Sequence, residues 1–298
     1  MRSTTIVSAE QLAAHLDDPD WIVFDCRFTL SNTEAGKQAY QQGHIPGARY
    51  VHLDDDMSSA VTPTSGRHPL PDVTIFSDKL SHWGVDSSKQ VVVYDDSFGS
   101  MAVKMWWLLR WLGHANVALL DGNWQMWVKY KLPVTTALPK ISPASFVVQM
   151  HNEILVNTDE VDFARRERCS VLIDARPEQR FAGERETLDK VAGHIPGAIN
   201  WVYEENLDFD GTYLPAEELK EAYLKLMHGL KPNHIIHTCG SGVTACHNML
   251  AMEIAGLHGS RLYAGSWSEW ITDPKRAVAT GEGHEHRKHI TTDILPCS

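Results

Sequence analysis

The segment Gly43-His-Ile-Pro-Gly-Ala48 recurs letter for letter as Gly193-His-Ile-Pro-Gly-Ala198, 150 residues further along the chain. Two other matches occur in the same order, at spacings of 149 and 143: Asp25-Cys-Arg27 with Asp174-Ala-Arg176, and Gly122-Asn-Trp124 with Gly265-Ser-Trp267. Three ordered matches at nearly one spacing indicate an internal duplication. The sequence therefore predicts two copies of one domain.

Within each copy, short apolar strands alternate with helices. In the first copy we expect strands at 21–24, 49–53, 91–94 and 117–120, and helices at 8–15, 75–83 and 101–112. In the second copy we expect strands at 171–173, 198–202, 234–238 and 261–263, and helices at 217–226 and 245–255. Strands joined by helices form right-handed crossovers, so this alternation predicts an α/β fold in which each domain is a mostly parallel sheet with helices on both faces.

The domain boundaries follow from a Pro-containing segment between the copies, Pro133–Pro143, and from the loss of apolar periodicity after Trp270. We place the first domain at residues 1–138, a linker at 139–154, the second domain at 155–276 and a tail at 277–298.

Composition excludes several classes of partner. The 298 residues are 43% hydrophobic, which is enough for sizeable cores, and the formal net charge is −11. Nucleic acids and anionic membranes usually require a basic face, so we expect neither as a partner. The chain shows no apolar core of signal-peptide length and no run of eighteen apolar residues, and we therefore expect a cytoplasmic protein.

The cysteines are sparse and odd in number, and they lack CxxC spacing: Cys26, Cys169, Cys239, Cys246 and Cys297. This pattern favours free thiols in a reducing compartment over a disulfide framework or a zinc site. The histidines at 284, 286 and 289 are interpreted as part of a polar tail, and no metal is expected.

Cys239 stands apart because an apolar run, Ile235-Ile236, leads to it and a helix is predicted from Ala245. The loop between, Gly240-Ser241-Gly242-Val243-Thr244, contains only small or β-branched residues. Backbone N–H groups and the positive end of a helix dipole favour a thiolate at such a position. We therefore predict that Cys239 is a nucleophile and not a buried structural thiol.

Only the second copy has a cysteine at this position of the loop. Aligning the copies at a constant spacing of 143 places Asp96 opposite Cys239. A carboxylate cannot replace a soft sulfur nucleophile, so we expect the first domain to be non-catalytic and to serve as a scaffold.

Two other interpretations of the loop are disfavoured. Gly240-Ser-Gly-Val-Thr-Ala245 also fits a dinucleotide fingerprint, but no acidic residue ends the next strand at Tyr263. A cysteine-dependent phosphatase would need an arginine six residues after Cys239, where Ala245 stands.

Taken together, the loop at Cys239, the repeated Gly-His-Ile-Pro-Gly-Ala segment and Gly265-Ser-Trp-Ser-Glu-Trp270 resemble the two-domain rhodanese family, specifically its 3-mercaptopyruvate sulfurtransferase branch. The resemblance extends from Val7 to Asp273. It implies tandem rhodanese-like domains and transfer of sulfane sulfur through a persulfide on Cys239, without a cofactor. It also implies a thiol acceptor such as thioredoxin or glutathione, or cyanide.

The choice of sulfur donor rests on the residues after the cysteine. In thiosulfate-using relatives these are typically Arg and Lys, whereas here they are Gly240 and Ser241. A neutral loop attracts a dianion less strongly, so 3-mercaptopyruvate is the expected donor. A thiosulfate sulfurtransferase and a persulfide carrier with little turnover remain the alternatives.

The resemblance also implies roles for individual residues. Arg176 would bind the donor carboxylate, with Arg180 or Arg185 as a second contact, a task that suits a guanidinium group. Ser241 would relay a proton, assisted by His68 with Asp54 behind it.

Overall fold

The structure is a computed structural model that describes residues 2–281, and the chain forms two compact units. Of the described residues, the first unit comprises 2–59, 70–151 and 208–213. The second unit comprises residues 60–69, 152–207 and 214–281. Each unit therefore includes one short segment from the other half of the sequence.

The first unit contains a five-stranded sheet in the order β1-β5-β4-β2-β3, with every neighbouring pair parallel. Its strands are β1 (Ile6–Val7), β2 (Trp21–Asp25), β3 (Arg49–Tyr50), β4 (Gln90–Tyr94) and β5 (Val117–Leu120). Its helices are α1 (Ala9–Ala13), α2 (Ala35–Gln42), α3 (Val73–His82), α4 (Ala102–Trp111) and α5 (Asn123–Lys129).

The second unit repeats this topology in the order β6-β10-β9-β7-β8, again with parallel pairs only. Its strands are β6 (Leu155–Val156), β7 (Val171–Asp174), β8 (Ile199–Asn200), β9 (Ile235–Thr238) and β10 (Arg261–Tyr263). Its helices are α6 (Thr158–Glu167), α7 (Glu178–Phe181), α8 (Ala216–Leu226), α9 (Ala245–Ile254) and α10 (Ser266–Trp270). The predicted duplication and the predicted α/β class are confirmed.

The central strands explain why the sheets form. All five residues of β4 and all four of β9 are buried, as expected for apolar strands that are covered on both faces of a parallel sheet. The predicted strands at 49–53 and 198–202 are shorter than expected, because only residues 49–50 and 199–200 pair with a neighbouring strand. In such sheets ligands bind beyond the carboxyl ends of the strands, and Cys239 follows the carboxyl end of β9.

The repeated Gly-His-Ile-Pro-Gly-Ala segment has the same structural role in both units. The His44 ring stacks on Tyr40 at 3.9 Å between ring centres, and the His194 ring stacks on Phe181 at 3.7 Å. The left-handed backbone at Gly47 and Gly197, with φ of +80° and +88°, explains why glycine ends each turn.

The histidine of each repeated segment also pairs with chain that follows its own domain. His44 forms an antiparallel bridge with Thr135, and His194 forms one with Ala279. Ala279 belongs to the segment expected to be a tail, of which residues 277–281 are described. The histidines at 284, 286 and 289 lie outside the described residues.

The state of the cysteines differs from the expectation at one position. Cys26, Cys239 and Cys246 are buried free thiols, whereas Cys169 is disulfide-bonded, so the expectation of free thiols throughout is wrong there. Burial, assisted by nearby carboxylates, raises the pKa of the Cys26 thiol well above its ordinary value, which disfavours its thiolate form. Cys297 lies outside the described residues.

No helix within residues 2–281 combines the length and the apolar character needed to cross a bilayer.

Candidate active site

Cys239 is the first residue after β9, and the start of α10 holds its backbone. The Cys239 N–H donates to Ser266 Oγ at 3.1 Å, and the Cys239 carbonyl accepts from the Trp267 N–H at 3.0 Å. These two bonds fix the direction in which the chain leaves the sheet. The thiol is buried, with 2% of the residue exposed.

The loop after Cys239 directs the backbone N–H of Gly242 towards the sulfur. The Gly242 N–H donates to Cys239 Sγ at 3.2 Å, a contact that is stronger when the sulfur is a thiolate. Gly242 has a φ of +72°, and a Cβ at this position would overlap the carbonyl oxygen of Ala264. The loop geometry therefore requires glycine here.

The next N–H groups of the loop are unused. Within the described residues, the N–H groups of Thr244 and Ala245 make no hydrogen bond, and α9 begins at Ala245. The N-terminal N–H groups of a helix, together with its dipole, favour an anion. The sulfur of Cys239 thus lies in a loop that can stabilise negative charge.

Ser241 and His68 are hydrogen-bonded to each other in the second unit. His68 Nδ1 lies 2.7 Å from Ser241 Oγ, and both side chains are buried. The segment 60–69 that carries His68 belongs to this unit. The structure therefore brings together two of the residues that the resemblance implied.

Asp54 lies in the first unit, in the loop after β3, where it is partly buried. Burial raises the pKa of its carboxyl group above the ordinary value. Its expected role behind His68 stays a prediction.

Arg176 is buried, and most of its hydrogen bonds are to Asp174, the last residue of β7. Its guanidinium pairs with Asp174 at 2.8 Å and donates to the carbonyl of Gly193 at 2.9 Å. Although burial opposes the charge, the Asp174 carboxylate and the nearby Cys239 raise the pKa of Arg176. One nitrogen, Nη1, has no hydrogen-bond partner.

The first unit contains the same arrangement. Arg27 pairs with Asp25 at 2.6 Å and donates to the carbonyl of Gly43 at 2.7 Å. Because both units use this arginine to tie the repeated segment to a strand end, it has a structural role in each. Arg176 differs from Arg27 in that Cys239 contributes to the rise in its pKa, whereas no cysteine does so for Arg27.

Arg180 and Arg67 lie over Gly240. A Cβ built on Gly240 would be 3.6 Å from Arg180 Nη1 and 2.7 Å from Arg67 Nη2. Arg180 pairs with Glu186 at 3.1 Å and with Asp189 at 2.9 Å, and Arg67 also pairs with Asp189.

Arg185, the other candidate on this loop, is exposed. Sequence reasoning missed Arg67, which has no periodicity or motif of its own. Its one signal was its position directly before His68.

The structural counterpart of Cys239 in the first unit is Asp95, and the expectation of Asp96 is wrong. The Asp95 carbonyl accepts from the Trp124 N–H at 3.1 Å, and the Asp95 N–H donates to Asn123 Oδ1 at 3.3 Å, as Cys239 does with Trp267 and Ser266. The first loop has one more residue between the strand end and the glycine that precedes the helix. A constant spacing therefore cannot align both the strands and the helices.

Asp95 and Cys239 nevertheless support the same conclusion about thiol chemistry. The Asp95 side chain is a carboxylate that accepts hydrogen bonds and carries no sulfur, so the first unit lacks a sulfur nucleophile at this position. Among residues 2–281, no group of three or more His, Cys, Asp or Glu side chains is arranged to hold a metal ion.

Comparison with known proteins agrees with the duplication. The sequence profile described as the rhodanese-like domain matches residues 8–130 and 158–273. A Pseudomonas aeruginosa protein named "Probable 3-mercaptopyruvate sulfurtransferase" is 44% identical over 95% of this chain and 100% of its own length. The thiosulfate sulfurtransferase of Rattus norvegicus is 31% identical over 92% of this chain and 93% of its own length.

A solved structure agrees as well. The crystal structure of SseA from Escherichia coli, described as having the rhodanese fold of 3-mercaptopyruvate sulfotransferases, is 31% identical with a TM-score of 0.76. The match covers 89% of this chain and 100% of that chain. The profile matches cover both copies, and the resemblance predicted from the motifs is confirmed: this chain belongs to the rhodanese-like domain family and carries two copies of the domain.

Proposed function

We propose that this protein is a sulfurtransferase that takes sulfane sulfur from 3-mercaptopyruvate onto Cys239 and passes it to a thiol acceptor. The observation that carries the proposal is the setting of Cys239. The sulfur accepts a hydrogen bond from the Gly242 N–H at 3.2 Å. The N–H groups of Thr244 and Ala245, which follow in the loop and at the start of α9, make no hydrogen bond within the described residues.

The first half-reaction is a nucleophilic substitution at sulfur. The Cys239 thiolate attacks the sulfur of the donor, and a sulfur–sulfur bond forms while the donor's carbon–sulfur bond breaks. The electron pair of the broken bond passes to the enolate of pyruvate, which then takes a proton. Cys239 is left as a persulfide, and no cofactor is required.

The loop supports both charged species in this step. Unpaired N–H groups at Thr244 and Ala245 favour the thiolate and, later, the persulfide anion. Ser241 is hydrogen-bonded to His68, so this pair is our assignment for the group that delivers a proton to the enolate. Asp54 as a third member of this relay is part of the proposal.

The arginines divide between two tasks. Arg176 supplies a buried positive charge near Cys239, and its Nη1 makes no hydrogen bond but lies 3.8 Å from the Glu186 carboxylate. Arg180 is our assignment for the donor carboxylate, because it lies over Gly240, the residue that follows the nucleophile. Arg185 is exposed, and we assign it no contact.

Support for the donor comes from the loop and from the relatives. Gly240 and Ser241 add no charge of their own, and the Pseudomonas aeruginosa relative is named for 3-mercaptopyruvate. The acceptor in the second half-reaction is a thiol such as thioredoxin or glutathione. That thiolate attacks the outer sulfur of the persulfide and regenerates Cys239.

The test compares purified wild type with Cys239→Ser. We expect wild type to release pyruvate from 3-mercaptopyruvate faster than it consumes thiosulfate, and its intact mass to rise by one sulfur atom when no acceptor is present. Cys239→Ser should lose at least about 10³-fold in turnover, because a serine hydroxyl is not an adequate replacement for the thiolate.

Other results would point elsewhere. A preference for thiosulfate would overturn the donor assignment, and a stable extra sulfur without pyruvate turnover would indicate a persulfide carrier. Full activity in Cys239→Ser would exclude the mechanism.

A further inference from the structure

Ser268, in α10, joins the loop after Cys239 to the 60–69 segment. Its backbone N–H donates to the carbonyl of Gly240 at 2.9 Å, and Gly240 directly follows Cys239. Its side-chain Oγ accepts the backbone N–H of Arg67 at 3.0 Å. One buried residue therefore holds two stretches of chain that are far apart in the sequence.

The two bonds of Ser268 reach the residues next to His68 and Ser241. Arg67 directly precedes His68, and Gly240 directly precedes Ser241. The distance of 2.7 Å between His68 Nδ1 and Ser241 Oγ therefore depends on two backbone groups that Ser268 holds. Proton transfer requires its two groups to stay within hydrogen-bond reach, so a shift of either neighbour would slow it.

Gly66 lets the 60–69 segment lie directly against the residue before α10. A Cβ built on Gly66 would be 2.7 Å from the Gly265 carbonyl oxygen and 2.9 Å from Ser268 Oγ, closer than real Cβ atoms come. The Ser268 hydroxyl donates to the same carbonyl at 3.3 Å. Because its proton is used on Gly265, the hydroxyl oxygen can accept the Arg67 N–H.

The corresponding residue of the first unit, Gln125, is used differently. The duplication places Gln125 opposite Ser268, since each follows the tryptophan of a Gly-x-Trp match. The Gln125 side chain donates to the carbonyl of Asp96, in the loop after β4. In the second unit the backbone N–H of Ser268 makes the equivalent bond to Gly240. The Ser268 side chain is thereby available for another segment.

We propose that Ser268 is a positioning residue, which sets the distance between His68 and Ser241 and so controls proton delivery to the enolate. This inference rests on the proposed function. Removal of the Ser268 hydroxyl would release the backbone of Arg67, while the Arg67 side chain would stay paired with Asp189. The 60–69 segment would thus remain on the second unit, but His68 would be held less precisely.

The experiment measures the first half-reaction directly, as the burst of pyruvate released from 3-mercaptopyruvate when no acceptor is present. The proteins are wild type, Ser268→Ala, His68→Gln and the double variant. Ser81→Ala is the matched control, because Ser81 Oγ in α3 also accepts a backbone N–H at 3.0 Å, from Phe146 of the first unit. The rate of Cys239 alkylation by iodoacetamide is measured in parallel.

We expect Ser268→Ala to lower the maximal burst rate by about 5- to 20-fold, the scale of one hydrogen bond. The donor concentration that gives half of this rate should change by less than about twofold, since the lost bond does not contact the donor. Alkylation of Cys239 should also stay within about twofold of wild type, because the Gly242 N–H still contacts the sulfur. Ser81→Ala should match wild type in all three measurements.

The double variant distinguishes positioning from general structural damage. His68→Gln should lower the burst rate by about 10²-fold, the contribution of a general acid. In that background Ser268→Ala should cost less than about twofold more, because no histidine remains to be positioned. Gly66→Ala, which displaces the 60–69 segment from α10, should reproduce the kinetic pattern of Ser268→Ala.

Two results would overturn the role of Ser268. One is a wild-type burst rate in Ser268→Ala, and the other is the same fold loss from Ser268→Ala with and without His68. If Ser268→Ala fails to fold, Gly66→Ala in the two backgrounds decides in the same way. Failure of the proposed function is recognised separately, because wild type itself would then release no pyruvate from 3-mercaptopyruvate.

Discussion

The loops that follow β4 and β9 occupy the same place in two identical sheet topologies, yet they satisfy their backbone N–H groups in opposite ways. In the first unit, the Asp95 carboxylate accepts the N–H groups of Ser97, Gly99, Met101 and Ala102, each at 2.8 Å. In the described part of the second unit, the Cys239 sulfur accepts one N–H, from Gly242.

The difference shows how the same loop position binds its own N–H groups in one copy and leaves some of them open in the other. Asp95 brings its own carboxyl group into the loop. Burial raises the pKa of this carboxyl, and four N–H donors act against that shift. Cys239 leaves the corresponding N–H groups of Thr244 and Ala245 without an acceptor in the described residues. An anion that forms during a reaction can use them.

The largest effect is expected when the second loop is converted to the chemistry of the first. Cys239→Asp should abolish sulfur transfer, with a loss of at least about 10³-fold in pyruvate release, because no thiol remains. The new carboxylate can accept the N–H groups that are unused in wild type. The free energy of unfolding, measured in urea, should therefore stay within about 1 kcal/mol of wild type or exceed it.

Cys239→Ser is the matched control, since it removes the thiol without adding an anion. If Cys239→Asp proved several kcal/mol less stable than Cys239→Ser, the second loop would not be able to hold a carboxylate as the first loop does, and the comparison would fail.

The next largest effect concerns the first loop. Asp95→Ala should lower the free energy of unfolding by about 3 to 5 kcal/mol, because four backbone donors lose a charged acceptor in a buried place. Urea denaturation measures this loss. Asp95→Asn, which keeps one carbonyl oxygen as an acceptor, should lose clearly less, and equal losses in the two variants would argue against the hydrogen bonds as the cause.

The smallest effect is the difference in unfolding free energy between alanine substitutions at the two glycines that precede α4 and α9. Gly99 and Gly242 both have positive φ, +86° and +72°. A Cβ at Gly242 meets the backbone carbonyl of Ala264, whereas a Cβ at Gly99 lies 2.8 Å from the movable side chain of Leu119. We expect Gly242→Ala to cost about 3 kcal/mol in unfolding free energy and Gly99→Ala about 1 to 2 kcal/mol.

Activity distinguishes these two variants further. Gly242→Ala should also slow pyruvate release, because it moves the N–H that contacts Cys239 Sγ, whereas Gly99→Ala should not. A larger effect of Gly99→Ala on either quantity would contradict this account of the loops.

The duplication and the position of Cys239 between a strand and a helix were predictable because both depend on local sequence. An exact repeat fixes a common turn, and an apolar run followed by small residues and a helix fixes the loop at Cys239. The long buried helix α4 and the strands β2, β4 and β9 were predictable for the same reason.

Features that depend on tertiary structure were not predictable. Helix α2 was missed because only Gly36 and Tyr40 are buried along it, which leaves almost no apolar period. Asp95 was passed over for Asp96 because a one-residue difference in loop length gives no local signal. Arg67 reaches the site only through the fold of the 60–69 segment.

The bridges at His44 and His194 have a consequence for the history of the chain. Each copy of the domain fixes the segment that follows it, because the histidine of the repeated turn pairs with Thr135 in the first copy and with Ala279 in the second. A domain that fixes the position of the chain that follows it can be duplicated in tandem without changes to the structure of either copy.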